Sequence, residues 1–203
     1  ALLLNSRMLD LFWDKEEVGF FFTSNDHELL IARAKTLEDG VIHSGNSVAV
    51  MNLLRLHELT LDESLKDKAV QTLCLFNGRM RKAPAAASFM IGALDFYLEP
   101  PISVVLAARR DDGEIAPFVS ALNSAYFPNK VVSLADPADP KTAELLPVLR
   151  GKKPSAGKPV AYVCRDSTCS APILEPQDLA SRLGGKASGK ASRKDVEKKV
   201  EVR

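Results

Sequence analysis

Cysteine is scarce in this 203-residue chain: there are three, Cys74, Cys164 and Cys169, too few for the disulfide framework that holds small secreted domains together. That scarcity points toward a reducing compartment and favours a cytoplasmic setting. No Cys-x-x-Cys occurs, and the four residues between Cys164 and Cys169 suit neither a thioredoxin-type motif nor a closed zinc site without further ligands. The two remain a candidate thiol pair, weighed against a structural pair at a strand end. Histidine is equally sparse, with three in all, and neither His27 nor His57 has a partner at metal-ligand spacing, so no zinc or iron site is supported. Gly-x-Gly-x-x-Gly and Gly-x-x-x-x-Gly-Lys are both absent, which removes the usual phosphate cradles and leaves no cofactor implied. The longest apolar runs, such as Ile102 to Ala108, fall far short of the ~20 residues that cross a bilayer. Nothing in the chain reads as a membrane span.

What is present is ordinary for a soluble globular protein: 46% hydrophobic and 26% charged residues, enough apolar content for one good core or two small ones. The net charge of +1 conceals an asymmetry, since residues 184–203 carry seven Lys or Arg against three acids while the remainder carries twenty against twenty-three. A mildly acidic body argues against a nucleic-acid face, which needs clustered positive charge to displace counterions. The chain opens on Ala1, already inside an apolar pattern. A leader or an upstream domain is therefore an open expectation, and the compartment stays open with it.

Along the chain, Leu2, Leu3, Met8, Leu9 and Phe12 share one helical face over residues 2–13, which ends before Gly19. The aromatic run to Thr23 and the stretch Leu29 to Ala32, separated by Ser24-Asn25-Asp26, predict a short hairpin. Ser44, Gly45, Asn46 and Ser47 offer N-caps to an apolar helix over Val48 to Leu59. A second begins near Asp62 with Leu65, Ala69, Leu73, Phe76 and Met80 inward, and Cys74 is expected to be a buried apolar residue of it. A third runs from Ala85 to Leu98 and stops at Pro100-Pro101. Ile102 to Ala108 then reads as a buried strand, Glu114 to Ala125 as a helix and Lys130 to Leu134 as a strand, which makes a βαβ unit. A helix at Lys141 to Leu149, a strand at Val160 to Cys164 and a helix at Pro176 to Leu183 extend the alternation and favour a largely parallel sheet. Residues 184–203 have almost no apolar content and read as a disordered basic tail.

Five ordered motifs carry a family resemblance. They are Gly19-Phe20-Phe21-Phe22-Thr23 with Asp26, Arg33 and Lys35; Asp39-Gly40 with Ser44-Gly45-Asn46-Ser47; Asn52-Leu53-Leu54-Arg55-Leu56; Pro128-Asn129-Lys130-Val131-Val132; and Ala161-Tyr162-Val163-Cys164 with Cys169 and Ala171-Pro172. Together they resemble the spermatogenesis-associated protein 20 family, over roughly residues 1–183. The resemblance implies a C-terminal portion of a parent in which a thioredoxin-like domain precedes a barrel of paired helices similar to six-hairpin glycosidases. The implied fold class is mixed α+β and α/β: partial (α/α) six-hairpin-type barrel helices over 1–99, a small βαβ segment over 100–183 and the tail over 184–203. The implied partners are the upstream barrel and thioredoxin-like domains of the parent, a carbohydrate ligand, and a protein partner or second copy that covers unpaired helix faces. Redox regulation belongs to the same implication. His43 stands where the family pattern has proline, and the missing Cys-x-x-Cys departs from it as well.

The residues themselves single out the loop from Asp39 to Ser47 as the candidate site. An acid, a histidine, hydroxyls and an amide converge at a helix start, where free backbone donors can hold an anion or sugar hydroxyls. The competing role for Asp39, Ser44 and Asn46 is loop shaping and helix capping, and it is the stronger of the two. His43 has a near-neutral intrinsic pKa suited to general acid–base work, set against incidental exposure. Asp26, Arg33 and Lys35 would meet polar substrate groups near a barrel mouth, with a hairpin salt-bridge network as the plainer alternative. No catalytic residue is assigned.

Overall fold

The computed structural model describes residues 1–28, 32–99, 101–124, 126–165 and 168–184. Its described residues divide into two compact units, one comprising residues 1–57 and 62–98, the other residues 58–61 and 99–184.

The first unit is helical. Helix α1 (Leu2–Phe12) buries none of its residues. It ends at Trp13, whose backbone forms an antiparallel bridge with Phe20, and the two rings meet edge-on at 5.0 Å. The reversal between them uses left-handed backbone at Val18 (φ 56°) and Gly19 (φ 78°), and the second of these favours glycine because a side chain strains there. Phe20 of the aromatic run pairs back onto the end of α1, and the Phe22 N–H donates to the Ala34 carbonyl at 2.8 Å. Leu29, Leu30 and Ile31, the expected return strand, lie outside the described residues.

Helix α2 (Gly45–Thr60) turns Ala49, Val50, Leu53, Leu54 and Leu56 inward. Helix α3 (Glu63–Lys82) is capped by Asp62, whose carboxylate accepts from the Ser64 N–H at 2.9 Å. Its buried face is Leu65, Ala69, Thr72, Leu73, Phe76 and Met80, the spacing expected of one helical stripe. Cys74 falls off that stripe and is exposed, which corrects the buried role expected for it: the position is about a quarter turn from its buried neighbour Leu73. A 3-10 turn at Pro84–Ala87 leads into α4 (Ser88–Leu98), which buries Met90, Ala93 and Phe96.

The second unit is built on a four-stranded sheet of order β2-β1-β3-β4. The strands are β1 (Ile102–Ala107), β2 (Lys130–Ala135), β3 (Val160–Arg165) and the two-residue β4 (Thr168–Cys169). Between them lie α5 (Ala116–Ser124) and α6 (Pro140–Leu145), and α7 (Pro176–Gly184) follows. Every residue of β1 is buried. Side chains alternate across a strand, so Ile102, Val104 and Leu106 pack with Phe118, Leu122, Leu179 and Leu183, while Val105 and Ala107 pack with Ala135, Leu149 and Val160.

The sheet is mixed, which corrects the largely parallel sheet expected from the βα alternation. Strand β1 runs parallel to β2, but β3 is antiparallel to β1 and β4 is antiparallel to β3. The physical reason lies in the connection. The long connection from β2 to β3 holds the six-residue helix α6 and a 3-10 turn at Pro147–Leu149. A tight turn then closes Ser155 onto Lys158, with Ala156 (φ 49°) and Gly157 (φ 80°) both left-handed, and feeds the chain into β3 in the reverse direction. Residues 185–203, where the basic tail is expected, lie outside the described residues. Among the described residues no helix is long and apolar enough to cross a membrane.

Candidate functional site

The loop before α2 brings Asp39, Ser44 and Asn46 together, and their polar atoms point inward. Asp39 presents one oxygen to the Ser44 N–H at 2.9 Å and the other to the N–H groups of Phe89 and Met90 at 2.9 and 3.3 Å. Those last donors belong to the first turn of α4, which has no intrahelical acceptors for them. A carboxylate from a distant loop thus caps α4 and holds the loop against it, with its side chain only 2% exposed. Ser44 caps α2 through its Oγ, which accepts from the Ser47 N–H at 3.1 Å and contacts Ser47 Oγ at 2.8 Å.

Asn46 is the central member. Its Oδ1 accepts from the Phe20 N–H at 2.8 Å, and its Nδ2 donates to the carbonyls of Phe20 at 2.8 Å and Thr36 at 2.9 Å. Both amide donors are engaged, and the residue is 2% exposed. The side chain copies a strand edge and fastens the aromatic run to α2.

His43 lies beside this junction. Its half-exposed ring stacks on Phe89 with centroids 4.2 Å apart, and its Nδ1 is 4.0 Å from Asp39 Oδ1, beyond hydrogen-bond range. His57 is less open than a helix-surface residue: its side chain is 12% exposed, with Nδ1 3.1 Å from the Asp62 carbonyl and Nε2 3.7 Å from Glu63. His27 is exposed.

The second candidate set separates. Asp26 is exposed and accepts from Ser24 Oγ at 2.6 Å. Arg33 instead donates to the backbone carbonyls of Thr23 and Leu11 and sets its guanidinium 4.0 Å from the centre of the Phe21 ring. Lys35 reaches Asp14 at 2.6 Å, with Glu17 farther off at 3.8 Å and the Phe21 ring at 5.0 Å. The salt-bridge network is therefore centred on Asp14, a residue that sequence patterning did not single out. Its only local signal is a carboxylate just after an aromatic helix end.

Burial pushes the Asp14 carboxyl up, but the Lys35 ammonium and the N–H groups of Glu16 and Glu17 outweigh that and hold it below its ordinary value of 3.8. A carboxylate lowered on folding adds stability that is fully present above its unfolded value and is lost as pH falls through the folded one. Asp14→Asn should accordingly cost about 1 kcal/mol at neutral pH. In urea titrations the gap between variant and parent should close as the pH drops below about 4.

Cys164 and Cys169 sit opposite each other on β3 and β4 and are joined by a disulfide. Among the described residues, no three His, Cys, Asp or Glu side chains gather as a metal site.

The described residues form a mixed α/β unit and a helical unit, and within the helical unit the polar loop has its carboxylate and amide engaged by backbone groups. The comparisons with known proteins agree on a family. The chain is 36% identical to human spermatogenesis-associated protein 20 over 188 residues, and the rat and mouse proteins of that name match at 34% and 33%. A Caenorhabditis elegans protein, "Uncharacterized protein B0495.5", matches at 25% over 169 residues. The chain belongs to the spermatogenesis-associated protein 20 family. The mammalian matches cover 90% of this chain and 23–24% of the relatives, so it spans about a quarter of their length. No family model and no solved structure matches it.

Proposed function

We propose that this chain is the C-terminal part of a larger spermatogenesis-associated protein 20-type protein. In this reading α1–α4 contribute to a six-hairpin-type helical barrel completed by the upstream parts of the parent, and the chain does no sugar chemistry by itself. The observation that carries the reading is α1: an eleven-residue helix that buries none of its residues and leaves Leu3 and Leu4 79% and 75% exposed. Adjacent exposed apolar side chains of this kind suit a surface that a partner segment covers. Val41 and Ile42, on the loop between Asp39 and Ser44, are also exposed. The parent's thioredoxin-like domain, its redox regulation and its carbohydrate ligand belong to the same proposal through the family resemblance.

The alternative, a non-catalytic interaction module, draws on the same surfaces and on the inward commitment of Asp39, Ser44 and Asn46. The two readings differ in what covers α1. The test is capture of this chain by the separately expressed upstream remainder of its parent, followed by light scattering. Binding that a Leu3→Ser, Leu4→Ser double variant weakens at least about tenfold supports the barrel reading, since two exposed leucines contribute roughly 1.4 kcal/mol or more on burial. Self-association in place of capture supports the interaction module. Thermal melts with mono- and disaccharides should show no shift for the chain alone, and a saturable rise would overturn the claim that it lacks a sugar site.

A further inference from the structure

We infer that the Cys164–Cys169 disulfide is a reversible thiol–disulfide exchange site, with Cys169 as the sulfur that a dithiol reductant attacks. This goes beyond the barrel proposal and does not depend on it. The two cysteines are directly opposed residues of β3 and β4, strands already paired by backbone hydrogen bonds, and they are separated by only five positions. Closing so short a loop restricts the unfolded chain less than almost any other crosslink would. Neither cysteine belongs to the two apolar clusters that surround β1. The segment after Cys169 has its own anchors, since Ser170 donates to the Val163 carbonyl at 2.9 Å and Ala161 and Ile173 exchange backbone hydrogen bonds at 2.9 and 2.8 Å. Opening the bond therefore leaves the sheet and its cores in place, which is what lets both redox states exist in one fold.

The two cysteines are also unequal in exposure. Cys164 is buried at 6% exposure, whereas Cys169 is exposed on the short edge strand. Exchange needs access for the incoming thiolate, and exposed disulfides are the labile ones. A reductant thiolate attacks Cys169 Sγ, the Sγ–Sγ bond breaks, and Cys164 leaves as a thiolate that takes up a proton. The reductant's second thiolate then attacks the reductant sulfur of the mixed disulfide and releases Cys169, which is protonated in turn. Two electrons and two protons enter the protein, and the dithiol is left oxidised as its own disulfide. Cys74, exposed on α3, is a free thiol.

The test uses the full 203-residue chain carrying Cys74→Ser, equilibrated without denaturant in mixtures of reduced and oxidised dithiothreitol or glutathione, then quenched with a thiol mass tag. Two tags should appear under reducing mixtures while circular dichroism stays native, and they should disappear when oxidised glutathione is restored. With glutathione as a monothiol, peptide mapping should find the mixed disulfide on Cys169 over Cys164 by about tenfold, reflecting access. Tagging that occurs only after urea would make the bond a structural staple and overturn the inference, as would equal trapping on both sulfurs. Cys169→Ser should fold and retain the native spectrum. Failure of both Cys169→Ser and Cys164→Ser to fold would overturn it as well.

Discussion

Asn46→Ala is expected to lower the stability of the helical unit by about 3 kcal/mol or more, with a matching loss in urea midpoint and little change in slope. The substitution removes three hydrogen bonds at once and strands the Phe20 N–H and the carbonyls of Phe20 and Thr36. The first two of these bonds are buried, so water does not simply replace the amide. Asn46→Asp is the sharper control. It keeps the acceptor for Phe20 but faces two carbonyls with a carboxylate that has no donor, and it should cost as much as alanine at neutral pH and less in acid, where the protonated acid can donate once. A ligand-contacting amide would behave differently, losing sugar response while the fold kept its stability. Denaturant titrations of the three proteins decide between these roles.

Asp39→Ala should follow closely, at about 2–3 kcal/mol. Its carboxylate serves three backbone N–H groups, one at the entry to α2 and two in the first turn of α4, and a negative charge at a helix N-terminus adds a favourable interaction with the helix dipole. Asp39→Asn keeps one oxygen and should recover part of the loss. Hydrogen exchange gives the clearest readout: the amides of Phe89 and Met90 should lose protection in Asp39→Ala, whereas the amide of Ser64, capped by Asp62, should not. Loss of protection across the whole unit, with no preference for α4, would mean that Asp39 does not act as its cap.

Much of the candidate site was legible as a place and not as a role. Hydroxyl and amide side chains before an apolar helix announce a helix start, and Ser44 does cap α2. That Asn46 would turn away from solvent to clamp Phe20 had no local signature, because its partner is 26 residues away. Asp39 illustrates the same limit more strongly, reaching a helix whose first turn lies 50 residues downstream. Arg33 and Lys35 were recognisable as cations, but their partners, the Phe21 ring and Asp14, depend on how the segment after α1 folds back.

The fold divides along the same line. Taken alone, the chain determined where its longer helices and strands β1 to β3 lie, because a stripe repeating every 3.6 residues, a cap or a short apolar run is written within one element. The Leu65 to Met80 stripe and the buried run of β1 are cases in point. It also determined the family, since ordered motifs need no three-dimensional context. Strand direction was decided only by tertiary structure. An apolar run reads the same in either sense, and only the course of the connection, which enters β3 through the left-handed turn at Ala156 and Gly157, sets β3 antiparallel to β1. That reversal, with β4 folding back beside β3, sets Cys169 opposite Cys164. Spacing alone left the pair undecided because the sulfurs meet only through the register of two strands.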